Sequence, residues 1–195
     1  MDLDTLTFVT GNEHKRREAE RILGTVLRVE RLDLPEIQGL DLMEILRAKG
    51  REAHRRLGMP VLVEETGLEL AALGGFPGPL VRWMLESIGA RGIARVGLAL
   101  GNPSVTARCA VLAFDGTREA VGEGMAHGTL VDPPRGDAGF GWDPVFQPAG
   151  ESRTYAELGR VEKDRLGHRG RAWRALLAEL EVVLPLAQSS LRQSS

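Results

Sequence analysis

The segment TGNEHK, residues 10–15, joins an apolar stretch to a charged stretch with helical spacing. Such a turn between a strand and a helix directs backbone N–H groups and the positive end of the helix at one point, and Lys15 adds an ammonium group. The segment therefore indicates a phosphate cradle. It lacks the second glycine and the Lys-Ser/Thr pair of a Walker A loop, so a plain capped helix is the alternative interpretation.

Three glutamates form the second candidate group. Glu36 follows Pro35 in a turn, and Glu64 and Glu65 follow the apolar segment Val61 to Val63. The end of a parallel strand faces the ligand crevice of an open sheet. Carboxylates held there can bind Mg²⁺ through one or two oxygens while water and substrate phosphates complete its octahedron. The alternative is that these glutamates are simply solvated.

A third candidate is the loop GFGWDP, residues 139–144. Its two aromatic rings, set between glycines, can stack on a planar ring, and the carboxylate that follows can accept a hydrogen bond from a ring N–H. The alternative is a core loop in which glycine makes room for bulky side chains.

The fourth candidate is a group of cations, Lys163 and the segment GHRGR at residues 167–171. Arginine and histidine donors suit a base carbonyl or phosphate oxygens. A basic helix face fits the same residues equally well.

These residues must be positioned by elements that the sequence pattern also predicts. For the first half we expect strands over 3–10, 26–32 and 61–63. We expect helices over 13–23, capped by Asn12, and from Asp41 to its stop at Gly58. A third helix is expected over 80–88, where Pro79 starts it.

The second half has a different pattern. Strands over 105–114 and 118–131 flank the turn Asp115-Gly116 and predict an antiparallel hairpin, whose second strand is weakened by three glycines. After the loop at 133–143, the chain is expected to be helical, with a capping box at Thr154 and Glu157 and a long final helix whose apolar face holds Ala172, Leu176 and Leu180. We expect one domain over 1–185 and a frayed tail over 186–195.

Composition limits the function further. The 195 residues carry a formal net charge of -2, which argues against a protein that wraps long nucleic acid through a basic surface. No apolar run approaches the roughly 20 residues that span a bilayer, and no targeting segment is visible. The single cysteine, Cys109, cannot form an intramolecular disulfide. The expectation is a cytoplasmic protein with a small-molecule substrate, without a nucleic-acid or membrane partner.

Taken together, the motifs resemble one family. TGN-x-x-K-x-x-E, LPEIQG, VLVEETGL, ALGGFPGP, FGWDP-x-F, TYAEL and HRGRA, in this order from Phe8 to about Trp173, are similar to the inosine/xanthosine triphosphate pyrophosphatases. The resemblance implies an elongated two-lobed α/β fold about a long mixed β-sheet flanked by helices. It also implies a homodimer and a Mg²⁺-dependent hydrolase that converts ITP, dITP and XTP to the monophosphate and pyrophosphate and so cleanses the nucleotide pool.

The same resemblance assigns roles by position. It implies that Glu36 and Glu65 hold Mg²⁺, that Glu65 also matches the family's base, and that Lys15 and Lys163 act as cationic clamps. The triphosphate would be bound by Thr10, Gly11, Asn12, Glu13, His14 and Lys15. The rest of the substrate would be contacted by Thr66, by a base pocket of Phe140, Gly141, Trp142 and Asp143, by Lys163, and by His168 and Arg169, which would read the purine.

Two residues depart from the family pattern. Glu65 stands where Asp is usual, and Gly167 stands where Ser is usual. The extra methylene of Glu65 moves its carboxylate outward by about 1 Å, and a misplacement of that size can cost on the order of 10²-fold in rate unless the backbone or metal adjusts. The base role of Glu65 is therefore the assignment most in need of testing.

Three other functions compete with this one. A related pyrophosphatase could prefer a modified pyrimidine or a dUTP-like substrate, although FGWDP and HRGRA argue against it. A nucleotide-binding regulatory module could have lost hydrolysis, as the two departures suggest. Binding of single-stranded RNA through Trp142 and the C-terminal arginines is disfavoured by the pI of about 6.1.

Overall fold

The computed structural model describes the backbone of residues 1–189 and the side chains of residues 1–180. Its strands are Thr7–Val9 (β1), Arg28–Glu30 (β2), Val61–Leu70 (β3), Pro77–Gly78 (β4), Ser104–Phe114 (β5), Glu119–Leu130 (β6) and Phe146–Pro148 (β7). Its helices are Glu13–Leu23 (α1), Leu42–Leu57 (α2), Val81–Ala99 (α3), Arg160–Leu166 (α4) and His168–Ser189 (α5).

The strands form one mixed sheet in the order β2-β1-β3-β5-β6-β7, with β4 paired to β3. β1 runs parallel to β2 and β3, whereas the β3–β5, β5–β6 and β6–β7 pairs are antiparallel. The predicted hairpin over residues 105–131 is therefore confirmed, as is the mixed α/β class.

The first two helices begin and end where the sequence predicts. The Asn12 side chain accepts hydrogen bonds from the backbone N–H groups of His14 and Lys15, and Asp41 does the same for Met43 and Glu44. Both helices end at a glycine in the left-handed conformation, Gly24 with φ 68° and Gly58 with φ 67°. Local capping thus fixes the orientation of the two helices that border the cleft described below.

The sheet carries apolar side chains on both faces and at both ends. Helix α2 packs on one face, where Leu46 and Ala53 join the cluster of Val61, Val63 and Leu112. Helix α5 packs on the other face, where Trp173 joins the cluster of Phe8 and Leu62. A separate cluster lies at the opposite ends of the long strands, where α3 contributes Ile93 and Ala94. One end of the long strands thus lies between the clusters under α2 and α5, and the other end lies against the cluster under α3. This arrangement agrees with the expected two lobes.

Several predicted elements have other bounds in the structure. The strand predicted over 3–10 is limited to Thr7–Val9, because Leu3–Thr5 forms a 3-10 helix that Asp2 caps, and the strand predicted over 26–32 is limited to Arg28–Glu30. The strand predicted over 61–63 continues to Leu70, because its second half pairs with β5 out to Val105. The helix predicted to end at 88 continues to Ala99 after an interruption at Gly89, which has φ 68° and ψ 173°. Thr154 N–H does donate to Glu157 at 2.7 Å, but this arrangement closes a turn, and the next helix begins at Arg160.

The glycines of β6 do more than weaken a strand. A Cβ at Gly122 would collide with the backbone of Ala172 and Leu176, and one at Gly124 would collide with the backbone of His168 and Ala172. Glycine at these two positions therefore lets the backbone of α5 lie directly on the strand. This contact sets the position of His168 at the start of the helix.

Helix α5 is described to Ser189, and residues 190–195 of the predicted frayed tail lie outside the described residues. In the part of the chain that is described, no helix combines the length and the apolar character that a membrane crossing needs.

Candidate active site

One cleft of about 950 Å³ collects most of the predicted site residues. Its walls are the turn at residues 10–15, the segment around Glu36, the middle of β3, the start of α3 and the loop at 140–142. The turn at residues 10–15, which we call the phosphate turn after its predicted role, therefore faces the same space as Glu36, Glu65 and Thr66. The loop at 140–142, which we call the aromatic loop, also faces this space, although these segments come from distant parts of the chain.

The acidic side of the cleft contains a residue that the sequence analysis did not identify. Lys49 Nζ lies 2.5 Å from Glu65 Oε1 and 3.3 Å from Glu36 Oε1. Burial disfavours the charge of Lys49, but the two carboxylates outweigh that cost and raise its pKa above the ordinary value. Both glutamates thus reach a single cation. The sequence did carry a signal, because Lys49 interrupts the apolar stripe of α2 between Leu46 and Ala53.

Glu64 and Glu65 have different surroundings, because successive side chains of a strand point to opposite faces. Glu64 is 2% exposed and accepts hydrogen bonds from Arg169 Nε, at 3.1 Å to each oxygen, and from Trp173 Nε1 at 3.1 Å. Lys15 Nζ lies 3.4 Å from Glu64 Oε1. Glu64 therefore anchors Lys15 and Arg169, whereas Glu65 faces the cleft.

A buried ionic network lies behind the cleft wall. Lys163 Nζ donates to Glu18 Oε1 at 2.8 Å and to Asp143 Oδ2 at 2.6 Å, and Arg169 also donates to Glu18. Burial opposes ionisation of Glu18, but Arg169 and Lys163 lower its pKa below the ordinary value. Lys163 thus binds Asp143 and shares Glu18 with Arg169, and the contacts of these three residues with a substrate stay a prediction.

The aromatic loop meets the phosphate turn directly. The rings of Phe140 and His14 are stacked, with centroids 5.0 Å apart and an interplanar angle of 23°. Phe140 N–H donates to Asp143 Oδ2 at 2.8 Å, which ties the loop to the ionic network. Lys163 Nζ and Arg169 Cζ lie 5.0 and 5.4 Å from the Phe140 ring centroid.

Next to this loop is a group of buried polar atoms without partners. Among the described residues, nothing hydrogen-bonds to either ring nitrogen of His168, to Trp142 Nε1 or to the Tyr155 hydroxyl. The rings of Trp142 and Tyr155 lie 6.2 and 6.0 Å from that of His168. Burial, with the nearby charges of Arg169 and Lys163, holds the pKa of His168 well below its ordinary value. A neutral imidazole has one donor and one acceptor, and buried polar atoms of this kind usually bond to protein, to water or to a bound ligand.

Comparison with known proteins assigns the family. A model of the Ham1 family matches residues 6–179. The chain belongs to the Ham1 family. "Inosine triphosphate pyrophosphatase 2" of Trypanosoma cruzi is 43% identical to this Ham1 protein over 178 residues, which are 89% of this chain and 90% of the relative.

Solved Ham1 structures have the same fold. A HAM1 protein from Coxiella burnetii, 26% identical, gives a TM-score of 0.75 over 90% of this chain and 98% of the other. A structure named nucleoside-triphosphatase / dITP/XTP pyrophosphatase, from Mycobacterium abscessus, is 28% identical and gives a TM-score of 0.62 over 92% of this chain and 98% of the other. The family resemblance drawn from the motifs is thus confirmed.

The structure accounts for Gly167 in this Ham1 protein. Gly167 N–H donates to the Lys163 carbonyl at 2.7 Å, and a Cβ at Gly167 would lie 2.6 Å from that oxygen. Serine would require the end of α4 to move away. Glycine therefore lets the chain turn closely at the end of α4, beside the carbonyl of Lys163.

Proposed function

We propose that this Ham1 protein hydrolyses non-standard purine nucleoside triphosphates, namely ITP, dITP and XTP, to the monophosphate and pyrophosphate, and so removes them from the nucleotide pool. The observation that carries the proposal is that the acidic pair Glu36 and Glu65 shares one cleft with the phosphate turn and the aromatic loop. The names of its relatives support the same activity.

The triphosphate would lie along the turn at residues 10–15. The turn leads into the positive end of the eleven-residue helix α1, whose dipole favours an anion there even though Asn12 caps the N–H groups of His14 and Lys15. Lys15 lies at the same place, and its side chain is held by Glu64. This arrangement neutralises phosphate charge with groups that are already in position before the substrate arrives.

The carboxylate pair fits a divalent metal, and we propose Mg²⁺. Glu36 and Glu65 both contact one cation, the ammonium group of Lys49. Mg²⁺ typically takes one or two protein carboxylates together with substrate phosphates and water. When bound, the metal would offset charge that develops on the departing pyrophosphate. Lys49 would then shift from the carboxylates toward a phosphate.

The chemical step needs a base beside the α-phosphorus. We assign this role to Glu65, which matches the family's base and faces the cleft, whereas the neighbouring Glu64 is buried in its bonds to Arg169 and Trp173. A water oxygen forms a bond to the α-phosphorus, its proton passes to the Glu65 carboxylate, and the bond to the α,β-bridging oxygen breaks to release pyrophosphate. Lys15, which lines the cleft, would stabilise the leaving group, whereas Lys163 stays bound to Glu18 and Asp143 behind the cleft wall.

Selection among nucleobases would use the buried polar atoms described above, chiefly the ring nitrogens of His168. The neutral imidazole of His168 can donate one hydrogen bond to the O6 atom of a 6-oxo purine, and Arg169 supplies a second donor. Adenine carries an amino group at this position, which donates hydrogen bonds and cannot accept one from His168 or Arg169. Hydrogen-bond mismatches of that kind discriminate by about 10⁴ to 10⁵.

We also propose a homodimer that resides in the cytoplasm. The loop and helix over residues 73–83 expose Phe76 and Trp83, which are 47% and 50% exposed, and a partner subunit would cover such apolar surface. Sedimentation at micromolar concentration tests the oligomeric state, and a stable species of 21 kDa would contradict the dimer.

The experiment that tests the function is a substrate panel. Purified protein is assayed with Mg²⁺ and ITP, dITP, XTP, GTP, ATP or dUTP, and pyrophosphate and orthophosphate are measured separately. We expect kcat/KM for ITP and XTP to exceed the ATP value by at least about 10³-fold. Preference for dUTP would favour the pyrimidine alternative. Tight ITP binding without turnover would favour a regulatory module.

A further inference from the structure

The position of His14 does not suit a residue that only binds phosphate. Its backbone N–H donates to Asn12 Oδ1 at 3.0 Å, which fixes it in the first turn of α1. Its side chain instead lies face to face with the Phe140 ring, at a centroid separation of 5.0 Å. His14 is therefore an aromatic platform at the boundary between the phosphate turn and the base loop.

The opposing platform, Phe140, is held by a different part of the fold. Its backbone is tied to Asp143, and Asp143 is bound to Lys163 of α4. The flanking glycines, Gly139 and Gly141, have φ of 80° and 64°, a conformation that side chains rarely adopt. The two rings thus stand on different elements, α1 and a glycine-flanked loop, which Lys163 links through its bonds to Glu18 of α1 and to Asp143.

We propose that His14 and Phe140 form a clamp that holds the nucleobase between their two rings, an inference that rests on the function proposed above. A base stacked on both rings needs about 3.5 Å on each side, so the His14 and Phe140 rings would stand about 7 Å apart. The clamp would open by about 2 Å from its present separation. The stacked pair is the ligand-free form of the clamp, in which each ring covers the face that the base would cover.

The clamp separates two tasks within the turn at residues 10–15. Lys15, bound to Glu64, serves the triphosphate, whereas the neighbouring His14 serves the base. Stacking does not read hydrogen-bonding groups, so the clamp contributes affinity for any purine, and the choice among purines is left to His168 and Arg169. Two-sided stacking also favours the larger bicyclic purine over a pyrimidine.

The test compares His14→Ala with His14→Phe. The alanine variant removes one face of the clamp, and the phenylalanine variant keeps a ring. Arg17→Ala is the matched control, because Arg17 lies on the same helix, is 68% exposed and pairs only with Glu13 among the described residues. For each protein, KM for ITP, the inhibition constant for tripolyphosphate, which has no base, and the affinity for ITP in EDTA are measured.

We expect His14→Ala to raise KM and to weaken ITP binding in EDTA by about tenfold, consistent with the loss of one base-stacking contact. Its tripolyphosphate inhibition constant should match wild type. His14→Phe and Arg17→Ala should stay within about twofold of wild type in all three measurements.

Two results would overturn the clamp. The first is that His14→Ala binds ITP as tightly as wild type does. The second is that His14→Ala loses ITP affinity and tripolyphosphate affinity equally, which would mean that His14 binds phosphate. Failure of the proposed function would look different, because the wild-type protein would then not turn over ITP. The binding measurement in EDTA still decides the clamp in that case.

Discussion

Lys49 Nζ lies 2.5 Å from Glu65 Oε1, on the acidic side of the cleft. The ammonium group also contacts Glu36, so that it bridges the two carboxylates proposed to hold the metal. In the ligand-free protein Lys49 therefore neutralises a charge that Mg²⁺ would neutralise in the complex.

This relationship predicts competition between Lys49 and metal. Lys49→Gln removes the bridging cation and should tighten Mn²⁺ binding to the nucleotide-free protein by about tenfold, since a charge-assisted hydrogen bond contributes about 1.5–3 kcal/mol. Isothermal titration calorimetry measures this affinity. Arg47→Gln is the control, because Arg47 lies on the same helix and pairs instead with the exposed Glu119. Unchanged or weaker Mn²⁺ binding by Lys49→Gln would refute competition.

Glu65→Gln should reduce ITP turnover by at least about 10²-fold, because it removes both a negative metal ligand and the base. The thermal unfolding midpoint should fall only modestly, because Lys49 loses one of its two carboxylate partners and keeps Glu36. Steady-state assays across a range of Mg²⁺ concentrations provide the measurement. Wild-type rates would place the catalytic carboxylate elsewhere.

Glu65→Asp tests the departure from the family pattern. If the backbone of β3 is adapted to glutamate, the shorter side chain should lower kcat at fixed Mg²⁺ and recover partly as Mg²⁺ rises. Equal or faster turnover by the aspartate variant would show instead that glutamate is merely tolerated here.

Arg169 should contribute more to stability than an exposed arginine. Arg169→Met leaves Glu18 and Glu64 without this partner in the interior, and the expected loss is about 3–5 kcal/mol in the free energy of unfolding. Arg55→Met, which breaks the exposed pair with Glu52, should leave that free energy nearly unchanged. Urea denaturation measures both, and equal effects would contradict the buried network.

His168 predicts a dependence of stability on pH. Its pKa in the folded state lies well below 6.5, so below about pH 6.5 the unfolded chain binds a proton at this histidine that the folded chain does not. The contribution of His168 to the free energy of unfolding is therefore complete above pH 6.5. It falls by up to about 1.4 kcal/mol per pH unit as the pH drops toward the folded-state pKa. The difference in unfolding free energy between wild type and His168→Phe, measured from pH 7 to 5, should show this slope. A flat difference would mean that His168 is not held neutral.

Local signals in the sequence were sufficient for much of the fold. The caps Asn12 and Asp41 and the stops Gly24 and Gly58 act within one helical turn, so the pattern predicted α1 and α2 closely. The extension of β3 to Leu70 depends on pairing with β5, forty residues later, and no local signal could reveal it.

The candidate site was also predicted only in part, because local motifs reveal residue types and not their long-range partners. Turn and loop motifs identified the residues that line the cleft, but not how the interior partners pair. That Glu64 binds Arg169 and Trp173 while Glu65 meets Lys49 follows from strand alternation and helix packing. The family resemblance implied which residues would line a base pocket, yet the stacking of His14 on Phe140 is visible only in the folded structure.

The most direct test of the central claim is hydrolysis of ITP in ¹⁸O-labelled water with Mg²⁺, followed by mass spectrometry of the products. Attack on the α-phosphorus predicts IMP that carries one ¹⁸O atom and pyrophosphate that carries none. Labelled pyrophosphate with unlabelled IMP, or orthophosphate released together with IDP, would contradict the account.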